Sequence, residues 1–362
     1  MRIGIVGAGQ LARMLALAGY PLGHQFLVYD RSTGTPGGQV APDIVGAFDD
    51  PGQLRRFASQ VDVVTFDWEN VPVASARILA EDVPVWPPPR ALEVAQDRVA
   101  EKNLFRRLGI GTAPYAAVST QTDLRRAARR IGLPAVLKTR RMGYDGKGQA
   151  WLRDAADLEP AWQQLGGEPL IYEGFVAFGR EVSLVSARSR DGDIVHYPLA
   201  ENHHAQGILS WTRAPYVNEP LRRAAERHMV RVLEALDYTG VLCIEFFVRG
   251  RELLANEMAP RVHNSGHWTI EGAVTSQFEN HVRAVTGMPL GSTAARGPAV
   301  MVNFIGDMPD ADALLARPGV HLHDYGKTPR PGRKLGHATF VGRNRRDRDR
   351  AWKFLLALTG RR

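Results

Sequence analysis

Residues 241–268, VLCIEFFVRGRELLANEMAPRVHNSGHW, decide the fold class of this 362-residue chain. Apolar stretches on both sides of Arg249-Gly250-Arg251 predict a β-hairpin, and each strand carries one acid, Glu245 or Glu257. A carboxylate among apolar neighbours is costly unless it is paired or binds a metal. With a three-residue loop the acids would be diagonal neighbours, roughly 5–8 Å apart, able to share Mg²⁺ with nucleotide phosphates. With a two-residue loop they would face apart, and both could also lie on a solvated face.

A polar run follows this hairpin directly. Asn264 could give an oxygen to a cation, and Arg261 could meet a phosphate. His263 and His267, four residues apart, leave zinc open as an alternative. No third ligand stands at a suitable spacing, and the hard acids nearby favour magnesium.

Upstream, residues 138–149 read KTRRMGYDGKGQ after a predicted strand. The glycines leave backbone amides free to approach a phosphate, and Lys138 and Lys147 add positive charge. No Gly-Lys-Ser/Thr opens a helix here, so this is not a Walker loop. The pattern predicts a phosphate-binding loop, with a solvated basic turn as the alternative.

Three further polar features are weaker. Residues 173–176, Glu-Gly-Phe-Val, end a predicted strand and could form a hinge whose backbone hydrogen-bonds an adenine edge. Glu181 and His204 are single polar residues that would otherwise be structural. The lysines and arginines of the Gly/Pro-rich loop at 326–337 suit an anionic ligand or a solvated turn.

The N-terminus alternates strands and helices. Residues 2–6 predict a strand, Gly7-Ala8-Gly9 a turn and residues 10–19 a helix, which indicates a small parallel α/β domain. Together with Asp30, the glycine turn leaves nicotinamide dinucleotide binding open. A structural turn and a site for a substrate phosphate are the alternatives.

Length and composition suggest several domains in an ordinary globular enzyme, with 44% hydrophobic and 23% charged residues. We place the domains at 1–90, 91–290 with a small lid subdomain at about 112–175, and 291–362. The net charge of +8 is spread along the chain, so no nucleic-acid partner is expected. The single cysteine, Cys243, allows no internal disulfide and is expected to be a buried thiol. No stretch has the length or flanks of a membrane span or signal peptide, so we expect a cytoplasmic protein with no membrane partner.

In their order, these motifs resemble the ATP-grasp superfamily and, more closely, the 5-(carboxyamino)imidazole ribonucleotide synthetases of purine biosynthesis. The similarity runs along almost the whole chain. It lies in GAGQLARM at 7–14, TFDWENV at 65–71, RRMGYDGKGQ at 140–149, EMAPRVHNSGHWT at 257–269 and RPGRKLGH at 330–337. The last two favour this family over biotin carboxylase, glycinamide ribonucleotide synthetase and D-alanine ligases.

The resemblance implies an ATP-grasp fold of α/β and α+β class, with a Rossmann-like parallel N-terminal domain and a small C-terminal domain. It also implies an ATP-dependent carbon–nitrogen ligase that uses Mg²⁺ and carboxylates 5-aminoimidazole ribonucleotide with bicarbonate through carboxyphosphate, as a homodimer. Two positions depart from the family pattern: Asp67 stands where glutamate is more frequent, and Lys147 where arginine is common.

The resemblance also implies roles for individual residues. ATP would contact Arg98, Lys138, Gly143, Tyr144, Asp145, Gly146, Lys147, Gly148, Gln149, Glu173, Gly174, Phe175, Val176, Glu181, His204, Asn256 and Glu257. Mg²⁺ would be bound by Glu245 and Glu257. The ribonucleotide and bicarbonate would contact Gly9, Gln10, Leu11, Glu69, Arg261, His263, Asn264, Ser265, Lys327 and Arg333. The catalytic set would be Tyr144, Asp145, Lys147 and Lys327, with Asp145 as the candidate for the amine proton.

Two other functions stay open from sequence alone. A dehydrogenase built on the first ninety residues would bind a nicotinamide cofactor and leave the motifs between 138 and 264 without a role. A nucleotide-sensing module would bind ATP without turnover, although the two acids and the loop lysines argue for chemistry.

Overall fold

The computed structural model of the chain describes residues 1–143 and 148–360. The N-terminal part contains a parallel sheet of order β3-β2-β1-β4, as the alternation of strands and helices predicted. Its elements are β1 (Arg2–Val6), α1 (Gln10–Gly19), β2 (Gln25–Asp30), β3 (Asp43–Val45), α2 (Pro51–Ala58), β4 (Val63–Phe66), α3 (Val73–Asp82) and α4 (Pro89–Ala95). The proline cluster at 87–89 ends in the first residue of α4, since proline suits the first turn of a helix.

A second, antiparallel sheet of order β5-β8-β6-β7 follows. The elements of this part are α5 (Arg98–Arg107), β5 (Tyr115–Val118), α6 (Gln121–Ile131), β6 (Ala135–Thr139), β7 (Gln149–Leu152), α7 (Leu158–Leu165) and β8 (Leu170–Gly174). Asp97 and Thr120 cap α5 and α6 through their side chains, which stabilises the first turn of each helix.

The largest sheet is antiparallel, in the order β14-β13-β9-β11-β12-β15-β17-β16 with β10 also on β9. The elements of this part are β9 (Arg180–Arg188), β10 (Ile194–His196), β11 (Ala200–Ala205), β12 (Ile208–Ala214), α8 (Glu219–Ala235), β13 (Gly240–Arg249), β14 (Glu252–Ala259), α9 (Thr269–Gly272), α10 (Gln277–Thr286), β15 (Ala299–Ile305), α11 (Ala311–Leu315), β16 (Val320–Asp324), β17 (Lys334–Val341) and α12 (Arg345–Leu358). Because β12 pairs with β15, the sheet continues across the predicted domain boundary at 290/291.

The central strands of this sheet are buried on both faces. Val241 and Cys243 belong to the core that also contains residues of α1 and α10, whereas Leu242 and Ile244 belong to the core under α8. Burial on both faces explains why the strand reads as a continuous apolar run. Cys243 is a free, fully buried thiol, as predicted.

From sequence, apolar periodicity predicts a last helix only over residues 350–358. The structure starts this helix, α12, five residues earlier, at Arg345. Asn344 accepts a hydrogen bond from the Asp347 amide and so caps the helix. The alternating charges of its first turn hid this start, because they carry no apolar periodicity. Within the described ranges no helix has both the length and the apolar character that crossing a membrane requires.

Candidate active site

A cleft of about 700 Å³ opens where the first sheet, the large sheet and the loop before β17 meet. Most of the predicted site residues line it: Gly9, Gln10, Leu11, Glu69, Arg98, Lys138, Gly143, Gln149, Glu181, His204, Glu245, Asn256, Glu257, Arg261, His263, Asn264, Lys327 and Arg333. Described residues that were predicted but do not line the cleft are Gly148, Glu173, Gly174, Phe175, Val176 and Ser265. Tyr144, Asp145, Gly146 and Lys147 lie outside the described residues.

The two hairpin acids face each other, although the loop has two residues, Gly250-Arg251. A regular hairpin with that loop should turn Glu245 and Glu257 to opposite faces, as the sequence argument expected. A β-bulge at Asn256 instead shifts the register by one residue, so that Glu245 pairs directly with Glu257. Because side chains alternate along a strand, a shift of one residue brings the second acid to the face of the first. The acids are therefore direct rather than diagonal cross-strand neighbours.

Two histidines surround the Glu245 carboxylate. The Nε2 atom of His263 lies 3.5 Å from one carboxylate oxygen and that of His204 lies 4.0 Å from the other. Burial raises the pKa of Glu245 to about 7, the His204 charge opposes this shift, and the Glu257 charge adds to it. A cation bound beside this carboxyl would therefore favour its ionised form.

His204 also pairs with Glu181, whose carboxylate lies 2.9 Å from its Nδ1 atom. Burial alone would lower the pKa of His204, but the hydrogen bond to Glu181 and the charge of Glu245 raise it to about 9. The imidazole is therefore positively charged at neutral pH, on the cleft wall beside the two acids. From the residues alone His204 had no role, and only the family resemblance had placed it at ATP.

Arg98 holds the second acid from the first turn of α5. Its Nη1 donates to Glu257 Oε2 at 3.0 Å. Burial would raise the pKa of Glu257, but the Arg98 charge and hydrogen bond lower it.

Asp97, which caps α5, also accepts two hydrogen bonds from Arg140 at 2.7 and 3.1 Å. This pair anchors the end of β6 beside the acids.

Glu173 lies inside the protein rather than on the cleft wall. Its carboxylate accepts a hydrogen bond from Lys138 Nζ at 2.9 Å and lies 3.9 Å from Lys102 Nζ. Burial would raise its pKa, but the two lysines lower it to about 2. The Glu173 carboxylate thus forms an internal ion pair that fixes Lys138, and its contact with a nucleotide stays a prediction.

The rest of the predicted adenine hinge continues from β8. Gly174 donates its amide to the Pro114 carbonyl at 2.8 Å, and Val176 is buried. The Phe175 ring is 47% exposed and lies 5.9 Å from the Trp151 ring. These two aromatic rings thus form an exposed apolar surface at the edge of the second sheet.

The backbone amides of the opening glycine turn already donate hydrogen bonds to carboxylates of the protein. Asp67 accepts hydrogen bonds from the amides of Gly9 and Ala12, and Asp30 accepts one from Ala8 at 2.8 Å. A dinucleotide would need these amides for its pyrophosphate and Asp30 for its ribose. The geometry therefore argues against the nicotinamide interpretation.

Lys327 reaches the same turn from the loop before β17. Its ammonium donates to the side-chain oxygen of Gln10 and lies 5.7 Å from the centre of the Tyr325 ring. Burial lowers the pKa of Lys327 to about 8. Arg333 holds the loop closed by donating to the Thr328 carbonyl at 3.1 Å. The C-terminal basic loop therefore contributes cations to the cleft.

Arg261 joins the first sheet to the large one. It donates to both carboxylate oxygens of Glu69, at 2.5 and 2.8 Å, in the bidentate geometry that suits guanidinium. Burial alone would raise the pKa of Glu69, but Arg261 lowers it. Close by, Asn264 exchanges two hydrogen bonds, at 3.0 and 2.7 Å, with Asn303 of β15.

The two histidines of the polar run have different partners. His263 bonds through Nδ1 to Ser265 Oγ at 2.8 Å, and Ser265 in turn bonds to Ser183 at 2.8 Å. His267 is buried and bonds to Gln277 at 3.1 Å. Ser265 therefore orients His263 from beneath and does not itself line the cleft.

Several residues in or behind the cleft wall were not predicted as part of the site. Asp67 was noted only as a departure from the family pattern, and Glu101 and Lys102 were given no role. Lys102 is 1% exposed and one of six lysines in an arginine-rich chain. That scarcity was the one available signal, because lysine there is compact enough to be buried.

Three family models together match most of the chain. They are the ribonucleotide synthetase preATP-grasp domain at 1–96, the ATP-grasp domain at 103–278 and the phosphoribosylaminoimidazole carboxylase C-terminal domain at 299–351. An N5-carboxyaminoimidazole ribonucleotide synthase of Pseudomonas aeruginosa is 52% identical, covering 94% of both chains. One of Bacillus subtilis is 38% identical, covering 94% of this chain and 91% of the relative.

Solved structures give the same similarity. An N5-carboxyaminoimidazole ribonucleotide synthetase from Thermus thermophilus has a TM-score of 0.96 at 52% identity, covering 99% of both chains. An N5-carboxyaminoimidazole synthase from Aspergillus clavatus, in complex with ADP and 5-aminoimidazole ribonucleotide, has a TM-score of 0.91 at 28% identity, covering 99% of this chain and 97% of that one.

Proposed function

The chain belongs to the family of N5-carboxyaminoimidazole ribonucleotide synthases, and we propose that it catalyses the ATP- and bicarbonate-dependent carboxylation of 5-aminoimidazole ribonucleotide in purine biosynthesis. The observation that carries this proposal is the pairing of Glu245 with Glu257 across the bulged hairpin, at the base of a cleft with a cationic rim. This arrangement suits the phosphates of ATP and a second anionic substrate.

Mg²⁺ fits the two acids by their chemistry. It is usually held by one or two carboxylates together with substrate phosphates, and Glu245 and Glu257 supply hard oxygen donors on one face. When bound there, the ion would neutralise charge on the phosphates during transfer.

The cations of the cleft divide between two ends. Arg98, Lys138 and His204 lie near the acids, where we place the ATP phosphates. Lys327 and Arg333 lie near the opening turn, where we place the ribonucleotide phosphate. Between these ends, His263 and Arg261 would position bicarbonate, so that both substrates meet in the middle of the cleft.

The proposed chemistry has two steps. A bicarbonate oxygen attacks the γ-phosphorus of ATP, which forms carboxyphosphate and releases ADP. The exocyclic amine of the ribonucleotide then attacks the carboxyl carbon, inorganic phosphate leaves, and the amine gives up a proton. Cations held in place before the reaction stabilise the charge that develops on phosphate oxygens. We assign the amine proton to Asp145 and positioning roles to Tyr144 and Lys147; all three assignments stay predictions.

Phosphate release tests this function. We expect purified protein with MgATP to release phosphate at a substantial rate only when aminoimidazole ribonucleotide and bicarbonate are both present. A sensing module would bind ATP without releasing phosphate. With a dehydrogenase, phosphate release would not depend on aminoimidazole ribonucleotide or bicarbonate. The absence of substrate-dependent release would overturn the proposal.

We also propose that the protein is a cytoplasmic homodimer with the three-domain division predicted from sequence. The family resemblance supports the homodimer, and the three family models support a division into three parts. Light scattering after gel filtration should then give twice the chain mass of 39.9 kDa. A monomer mass at micromolar concentration would contradict the dimer, and recovery of the protein in a membrane fraction would contradict the location.

A further inference from the structure

Three side chains of α5 contact consecutive residues of β14. Arg98, Glu101 and Lys102 stand at positions i, i+3 and i+4, which places them on one face of the helix. That face lies against the strand that contains Glu257 and its bulge. Arg98 pairs with the Glu257 carboxylate itself, whereas the other two contact the backbone on either side of it.

The contacts made by Glu101 and Lys102 are specific. Glu101 Oε1 accepts the Met258 amide at 2.6 Å. Lys102 Nζ donates to the Asn256 carbonyl at 2.7 Å and to the Ala255 carbonyl at 3.4 Å. The residues before and after Glu257 are therefore each held by one charged side chain.

These contacts occur at the part of β14 whose backbone lacks partners from a regular strand ladder. β14 is the first strand in the order of the large sheet, so one of its edges has no neighbouring strand within that sheet. The bulge also leaves Asn256 without a ladder partner, and a buried backbone group without a partner is unfavourable. Glu101 and Lys102 supply partners at this edge, although burying two charges is itself costly.

We propose that Glu101 and Lys102 are positioning residues for the metal site: together they fix the bulged backbone around Glu257 and so keep its carboxylate opposite Glu245. This inference rests on the proposed function, because it takes Glu257 as a ligand of Mg²⁺. Without the two contacts, β14 could slip toward regular pairing, which would turn Glu257 away from Glu245.

The test measures metal binding directly. Mn²⁺ in the presence of ADP replaces Mg²⁺, and the free ion is counted by electron paramagnetic resonance. We expect Lys102→Met and Glu101→Met to weaken Mn²⁺ binding by about tenfold or more, as loss of a group that orients a metal ligand typically does. Glu101→Gln keeps an oxygen that can accept the Met258 amide, so its binding should stay within about twofold of wild type.

Leu104→Ala is the matched control for a general loss of stability. Leu104 is a buried core residue of the same helix, so this variant should lower the melting temperature without changing Mn²⁺ binding. If the two methionine variants also lose only melting temperature, with binding within about twofold of wild type, the positioning role is wrong. Should Lys102→Met not fold, the pair Glu101→Met and Glu101→Gln decides the same question.

Glu257→Gln distinguishes failure of the proposed metal site from failure of the proposed positioning role. If this variant loses Mn²⁺ binding while Glu101→Met retains it, the metal site stands and the positioning role fails. If Glu257→Gln binds Mn²⁺ like the wild type, the metal site itself fails, and the positioning role fails with it.

Discussion

Acid should weaken the structure around the site through His281 in α10. This histidine is fully buried, and its Nδ1 accepts the Val241 amide at 3.1 Å. Its Nε2 lies 2.7 Å from Thr65 Oγ1, so in the neutral ring Nε2 carries the hydrogen. It therefore connects β4, which leads to Glu69, with β13, which contains Glu245. Protonation would place a second N–H against the Val241 amide.

The size of the stability loss on acidification follows from the pKa of His281. Burial lowers the pKa of His281 to about 4, against 6.5 for an ordinary histidine. Above pH 6.5 the histidine is neutral in both states, so it imposes no penalty on folding. As the pH falls from 6.5 toward 4, only the unfolded chain takes up this proton, and stability is lost. Between pH 7 and pH 5 this loss should reach about 2 kcal/mol.

Urea unfolding at pH 7 and pH 5 measures this contribution. His281→Asn removes the titrating group but keeps an oxygen that can accept the Val241 amide. Other buried histidines, such as His267 and His337, contribute equally to both proteins and cancel in the comparison. The wild type should therefore lose about 2 kcal/mol more than the variant on acidification. Equal losses in the two proteins would refute the reasoning.

Three further predictions concern the reaction. Glu245→Gln should lower kcat by roughly 100-fold or more and raise the Mg²⁺ requirement, because one of the two carboxylate charges that would bind the ion is lost; an unchanged Mg²⁺ titration would argue against its role. Asp145→Asn should still bind ATP, measured by calorimetry, but lose most carboxylation, and unchanged turnover would remove Asp145 from the mechanism. Arg261→Lys breaks the bidentate pair with Glu69 and so should misplace the cation that we assign to bicarbonate. The KM for bicarbonate should rise by roughly ten- to 100-fold, since one charge-assisted hydrogen bond is worth about 1.5–3 kcal/mol; a KM within about twofold of wild type would contradict this role.

Sequence reasoning succeeded where the signals were local. The helix at 10–19 and the two strands of the hairpin follow from periodicity and from the glycine turns beside them. It also selected Glu245 and Glu257, because acids inside apolar strands require a partner. Helices α2, α3 and α4 and the short edge strand β3 were not predicted, since short elements give weak periodic signals.

Individual roles were less predictable than positions. Glu173 was expected at the nucleotide, but its carboxylate is paired with Lys138 inside the protein. Asp30 matched a ribose-binding acid in sequence, but it holds the amide of Ala8. In both cases the sequence correctly placed an acid at the end of a strand. It could not show which group that acid binds, because Lys138 and Ala8 are distant from these acids along the chain.

By itself, the sequence determined which residues stand at strand ends, turns and helix starts, and therefore the family of the fold. Only the tertiary structure decided that Glu245 faces Glu257. A two-residue loop should separate them, and the bulge at Asn256 brings them together. That bulge is supported by Glu101 and Lys102, which contact β14 from more than 150 positions earlier in the chain. Local sequence propensities do not predict such contacts, because the contacts depend on how separate helices and strands pack together.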